Sequence, residues 1–195
     1  MKKVKRILAL SLSAVLLLAL LGACGGGNDA KEKDVDLAAF YLTLTEKYQV
    51  PTTPEQDYPD ELADSDDMWL DGPESREDRI KALEEQRDQL RQMSLDAYPG
   101  LADINTKQRL VYVSMMSFSA SEAVLVQVSD AADVDAVKNI LQARIDAQLN
   151  GAMLYPMVAE AWENSARIVS NGTYVMLIVG EDCDAIVNDF NALFN

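Results

Sequence analysis

The chain has 195 residues, with 32 Asp or Glu against 17 Lys or Arg, a formal net charge of −15, no histidine and two cysteines. This balance argues against a nucleic-acid partner, because phosphate binding draws on clustered Lys and Arg. Without histidine there is no Ser-His-Asp or Cys-His nucleophile system and no imidazole ligand for zinc or copper, and no serine has the lysine three positions on that a Ser-Lys mechanism needs.

The first six residues, MKKVKR, are basic, and residues 7–23 are apolar apart from Ser11 and Ser13. That is the pattern of an export signal, and the run is slightly short of the roughly 20 apolar residues that cross a bilayer. It closes on Leu21-Gly22-Ala23-Cys24, the aliphatic, small, small, cysteine order of a bacterial lipobox. Residues 1–23 are therefore expected to be a lipoprotein signal peptide, with Leu21, Gly22 and Ala23 read by the peptidase. Cys24 is the expected lipidation site, its thiol bearing a diacylglyceryl group as a thioether. Two acyl chains anchor a protein stably where one does so only marginally, at about 0.8 kcal/mol per buried methylene. Residues 24–33, beginning with Cys24 and three glycines, form the expected flexible tether. With Cys24 acylated, Cys183 has no partner within the chain. Its acidic surroundings in GEDCDA disfavour a thiolate, so it reads as a semi-buried small residue.

Leu37, Phe40, Tyr41, Leu44 and Tyr48 recur at helical spacing, predicting an amphipathic helix over 34–49 that stops before Pro51. The following segment, 51–74, is acidic, proline-bearing and without periodicity, and reads as loop or disorder. Asp64, Asp66, Asp67 and Asp71 within it are hard oxygen donors, but counting from Asp64 the fifth and sixth positions are Met68 and Trp69, where a calcium loop needs an oxygen donor and glycine. Residues 74–93 form a highly charged helix with possible pairs Glu77–Lys81 and Glu84–Arg87. Arg87 interrupts its apolar side, so a solvated helix over the domain fits better than a coiled coil.

After a Pro99-Gly100 turn, RLVYVSMMSFS and EAVLVQVSD read as two antiparallel strands. Asp130 and Asp133 are candidate caps for a helix whose apolar face is Val134, Val137, Ile140, Leu141, Ile145 and Leu149. A further helix begins at Pro156 and is expected to bury Met157, Val158, Ala161 and Trp162. Asn171-Gly172 between two β-prone runs predicts a hairpin with a type I′ turn, and a last helix, capped by Asp182, presents Ile186, Phe190, Leu193 and Phe194. The order β-β-α-α-β-β-α predicts an α+β fold, an antiparallel sheet of about four strands with helices on one face. Ser114, Ser117, Ser119 and Ser121, beside Glu122, have no histidine or nearby lysine to activate them and read as polar strand and turn positions. Met115, Met116, Phe118, Tyr155 and Tyr174 read as packing.

The stretch VYVSMMSFSASEAVLVQVSDAADVDAVKNILQARIDAQ, with LYP and NGTYVMLIVGED beyond it, resembles a family of uncharacterised clostridial-type lipoproteins, the domain of unknown function (DUF) 4358. The resemblance spans about residues 94–195, implies export with a membrane anchor, and supplies no activity; residues 51–92 look like an insertion. The expected organisation is signal peptide 1–23, tether 24–33, N-terminal helix, acidic loop and charged helix 34–93, and α+β domain 94–195. The expected function is a non-catalytic binding module on the outer face of the cytoplasmic membrane, held by the lipid on Cys24 and meeting an envelope protein or other envelope component. No catalytic residue, metal ligand or cofactor is assigned. A carboxylate-based envelope hydrolase and an acidic cation-binding lipoprotein are the alternatives.

Overall fold

Two stretches of the chain, EAVLVQV and YVMLIV, are apolar at nearly every position rather than at every second one. A strand of that composition has to be covered on both faces. The structure, a computed structural model, describes residues 33–51, 75–114, 120–151 and 156–195. Its elements are α1 (Leu37–Tyr48), α2 (Arg76–Asp96), β1 (Thr106–Val113), β2 (Glu122–Val128), α3 (Val134–Gly151), α4 (Pro156–Ser165), β3 (Ala166–Asn171), β4 (Tyr174–Val179) and α5 (Cys183–Ala192). The strands form one antiparallel sheet in the order β1-β2-β4-β3, so the two apolar stretches are its interior strands. Every residue of β2 and of β4 is buried.

The fold is α+β, as expected. Its helices, however, lie on both faces of the sheet, where the sequence predicts one. On the first face Val111, Val124, Val126, Val175 and Leu177 pack with Val137, Leu141 and Ile145 of α3 and Val158 and Trp162 of α4. On the second face Leu110, Ala123, Leu125, Met176 and Ile178 pack with Phe40, Tyr41 and Leu44 of α1 and Ile186 and Phe190 of α5. The N-terminal helix is therefore part of the core: residues 34–195 form one compact unit. Asp36 caps α1, its Oδ1 accepting from the Ala38 and Ala39 amides at 2.9 and 3.0 Å, a bond worth about 1 kcal/mol. At the other end Gln49 adopts a left-handed φ of 53°, and the Tyr41 hydroxyl donates to the Pro51 carbonyl at 2.7 Å.

Polar side chains fix where α1 enters. The Tyr174 hydroxyl accepts from the Val35 amide at 2.9 Å and from Gln127 Nε2 at 2.8 Å. Gln108 Nε2 donates to the Val35 carbonyl at 2.8 Å and to Gln127 Oε1 at 2.9 Å, while its Oε1 accepts from the Leu37 amide at 2.8 Å. Tyr174, read as packing, is fully buried, with its ring beside Phe194 and its hydroxyl at the centre of this clamp. On the outside, Lys47 Nζ and the Tyr48 hydroxyl both donate to Asp189 Oδ2, at 2.7 and 2.8 Å, tying α1 to α5. The bond to Asp189 holds the Lys47 ammonium above its ordinary range, and Lys47 and Tyr48 together hold the Asp189 carboxyl below its ordinary 3.8.

Several local expectations change. The hairpin forms, but Asn171 pairs with Tyr174, so Gly172 and Thr173 are the central residues. Gly172 has φ 55° and Asn171 is not in the left-handed region; glycine first is the II′ pattern, not I′. Leu149 is 38% exposed and Met157 70% exposed. The first lies in the last turns of an 18-residue helix of about 27 Å, longer than the roughly 20 Å of six-residue β4. The second precedes Val158 and Trp162, which define the buried side of α4 at i and i+4. Asp182 occupies the N-cap position of α5 without a side-chain cap bond. Asp130 caps a short 3-10 turn over 131–133, and Lys81 pairs with Glu85 rather than Glu77. The Pro99-Gly100 turn is present, with Gly100 at φ 91° and the Leu101 amide donating to the Tyr98 carbonyl at 3.0 Å. Residues 115–119, in the expected first strand, lie outside the described residues.

Two outcomes are expected. Tyr174→Phe leaves the Val35 amide and Gln127 Nε2 without their buried acceptor and should destabilise the fold by about 1–3 kcal/mol in urea titration, with faster hydrogen exchange at Val35; an unchanged midpoint would dismiss the clamp. For Asp189, a folded pKa below the unfolded one means a contribution fully present above about pH 4 and lost as pH falls through the folded value. The melting temperature of Asp189→Asn should therefore fall below wild type at neutral pH and converge with it towards about pH 2.

Candidate functional site

Glu122 opens β2 on the face that also carries Val124 and Val126, so alternation sends its carboxylate into the first core, where it is 4% exposed. A buried charge requires a partner. Arg144, reaching down from α3, supplies a forked pair: Nε donates to Glu122 Oε2 at 3.1 Å and Nη2 donates to Oε1. The hydroxyl of Tyr98, from the turn after α2, donates to Oε2 at 2.5 Å. The guanidinium lies 5.7 Å from the ring centres of both Tyr98 and Trp162, within reach of a cation–π contact. Burial first, and then the neighbouring Glu122 carboxylate, push the Tyr98 phenol well above its ordinary 10.0. For Arg144, burial works to lower the pKa, but the bond and charge of Glu122 outweigh it and the net shift is upward. Both carboxylate oxygens are committed to donors, which makes this cluster an anchor between β2, α3 and α4.

Beside it, at the same end of the sheet, four segments distant in sequence enclose a cleft of about 530 Å³. Tyr48 and Val50 come from the exit of α1, Ser121 from the entry to β2, Ala161 from α4, and Val179 and Glu181 from the end of β4. The positive φ of Gln49, in this lining, is the left-handed cap that ends α1, its amide donating to the Leu44 carbonyl. Apolar walls, the Ser121 and Ser165 hydroxyls and the Glu181 and Asp182 carboxylates suit the cleft to a ligand with an apolar body and donor or cationic groups.

The expected lipidation residue Cys24, with Leu21, Gly22 and Ala23, lies outside the described residues, as do Asp64, Asp66, Asp67 and Asp71, Ser117, Ser119 and Tyr155. Cys183 is a free thiol buried at the start of α5. Among the described residues no group of three His, Cys, Asp or Glu is placed to hold a metal ion. Also among them, no helix is long and apolar enough to cross a membrane. Sequence reasoning missed Tyr98, Glu122 and Arg144. The available signal was a lone acid heading an apolar strand together with an arginine next to the apolar Leu141–Ile145 face of α3.

Removing one member of a buried pair costs about 3–5 kcal/mol, because the other charge is left uncompensated. Arg144→Met should lose about that much in urea unfolding, and Arg144→Met with Glu122→Gln should regain part of it. Equal losses in the single and double variants would show that packing, not charge pairing, is what Arg144 provides.

No curated protein and no solved structure matches the chain. A family model described as domain of unknown function, DUF4358, matches residues 80–180, running from the second turn of α2 to the residue after β4. All but the first four residues of α2 are thus within the matched region, including residues 80–92 of the segment read above as an insertion. With more than half of its 195 residues covered, the chain belongs to the DUF4358 family.

Proposed function

We propose that the protein is an extracytoplasmic lipoprotein, held to the outer face of the cytoplasmic membrane by a diacylglyceryl group on Cys24. Its domain acts as a binding module that receives a protein or other envelope component in the cleft at the end of the sheet. The observation that carries this reading is Leu21-Gly22-Ala23-Cys24 at the close of a basic and then apolar N-terminus. Cys183, the other thiol, is 4% exposed inside the second core and poorly placed to accept a lipid. The absence of histidine from the sequence and the commitment of the Glu122 carboxylate to Arg144 and Tyr98 favour binding over turnover.

Cys24→Ser is expected to block processing and to release the domain from two-chain anchoring, and mass spectrometry of the wild-type N-terminal peptide should find the lipid on Cys24. In the same strain, a photo-crosslinker at Ser121 should capture a specific envelope partner that one at exposed Lys81 does not. Normal processing and membrane retention of the serine variant would refute the anchor; identical crosslinks from both positions would refute the cleft.

A further inference from the structure

A second hollow, of about 320 Å³, opens between α2 and β1 and is lined by Arg91, Leu95, Thr106, Arg109 and Val111. An irregularity in β1 makes it. Thr106 pairs with Val128 but Gln108 pairs with Gln127, so Lys107 is an extra residue, a β-bulge. Beyond it Arg109 stands opposite Val126 and Val111 opposite Val124. Val124, Val126 and Val128 all belong to the first core, so the bulge brings Thr106 onto the face occupied by Arg109 and Val111. In a regular strand residues 106 and 109 would point to opposite sides. Re-aiming a side chain in this way is a recurrent use of bulges beside binding sites. Arg91 and Leu95, one turn apart on α2, form the facing wall.

The charges in this hollow run against the rest of the molecule. In a chain of net charge −15, two guanidinium groups line one small space whose other walls are Leu95 and Val111. Arg91 Nη1 donates to Asp88 at 2.9 Å. Arg109 Nη1 donates to the uncharged Leu101 carbonyl at 2.9 Å, a bond that orients the group without neutralising it, and among the described residues no carboxylate pairs with Arg109. A guanidinium presents five N–H donors in a planar fork that matches carboxylate and phosphate oxygens two at a time. The Thr106 hydroxyl adds a donor on the same face. We propose that this hollow binds an oxyanion, the carboxylate or phosphate group of a small molecule, between Arg91 and Arg109. The volume fits a group of a few non-hydrogen atoms, at the small end of ligand sites. The inference is independent of the cleft and of the lipid anchor.

The test uses the full-length protein in non-ionic detergent, titrated at constant ionic strength with inorganic phosphate and separately with succinate. Binding is followed by calorimetry and by NMR of the arginine Nε–H signals. Saturable binding of at least one anion is expected, with the Arg109 signal shifting. Arg109→Gln and Arg91→Gln should each weaken it about tenfold or more, the size expected for a lost charge-assisted hydrogen bond, while Lys81→Gln, outside the hollow, leaves it unchanged. Saturation with phosphate alone or succinate alone identifies the group. Because Arg109→Gln also loses the bond to Leu101, Arg91→Gln decides the matter if Arg109→Gln lowers the melting temperature. A linear, non-saturating response to both anions, or affinity unchanged in Arg91→Gln, overturns the proposal.

Discussion

The two interior strands carry almost nothing but apolar side chains on either face, and most of the architecture answers to that fact. Antiparallel sheets commonly leave one side to water and alternate accordingly. Here β2 and β4 are buried along their whole length, so neither face can be left open. The strands that meet at the centre are not successive in the chain; α3, α4 and β3 intervene between them. Those two helices close the first face on the way. The second face is closed by α1, from before the sheet, and α5, from after it.

Polar groups inside such a sandwich have to be satisfied among themselves, and they are gathered at opposite ends on opposite faces. Glu122, the first residue of β2, finds Arg144 and Tyr98 on one side. Gln127, near the last, finds Tyr174 and Gln108 on the other. Each set joins the sheet to a segment that the apolar contacts alone could allow to slide. Leucine and valine surfaces are tolerant of small shifts; a forked ion pair or a glutamine bonded through both its oxygen and its nitrogen is not.

Much of this was legible before any coordinates. The order of elements, the Asn-Gly hairpin region and the starts of α4 and α5 follow from local chemistry: proline at a helix start, glycine where φ is positive, periodicity of 2 or 3.6. The double-sided covering was written in the same residues, since EAVLVQV does not alternate, yet a short apolar run specifies burial without saying what lies above and below. Turn register escaped because Asn171 and Gly172 suit two neighbouring alignments, and only pairing across β3 and β4 selects between them. The buried Tyr98–Glu122–Arg144 cluster joins positions 24 and 22 residues apart, and the cleft joins four separate segments. Neither leaves a periodic trace. The bulge at Lys107 is equally silent in sequence, because the extra residue is an ordinary one that shows only against its partner strand.

The clamp around Val35 also governs how the domain would respond to being tugged. Tension arriving through the chain ahead of Asp34 meets the Val35 amide and carbonyl and the Leu37 amide, all gripped by side chains rooted in β1 and β4, before it reaches the body of α1. Those bonds share the strain instead of yielding one at a time from a frayed helix end. The load is thereby passed from the first helical turn to one end of the sheet, where β1 and β4 take it up together.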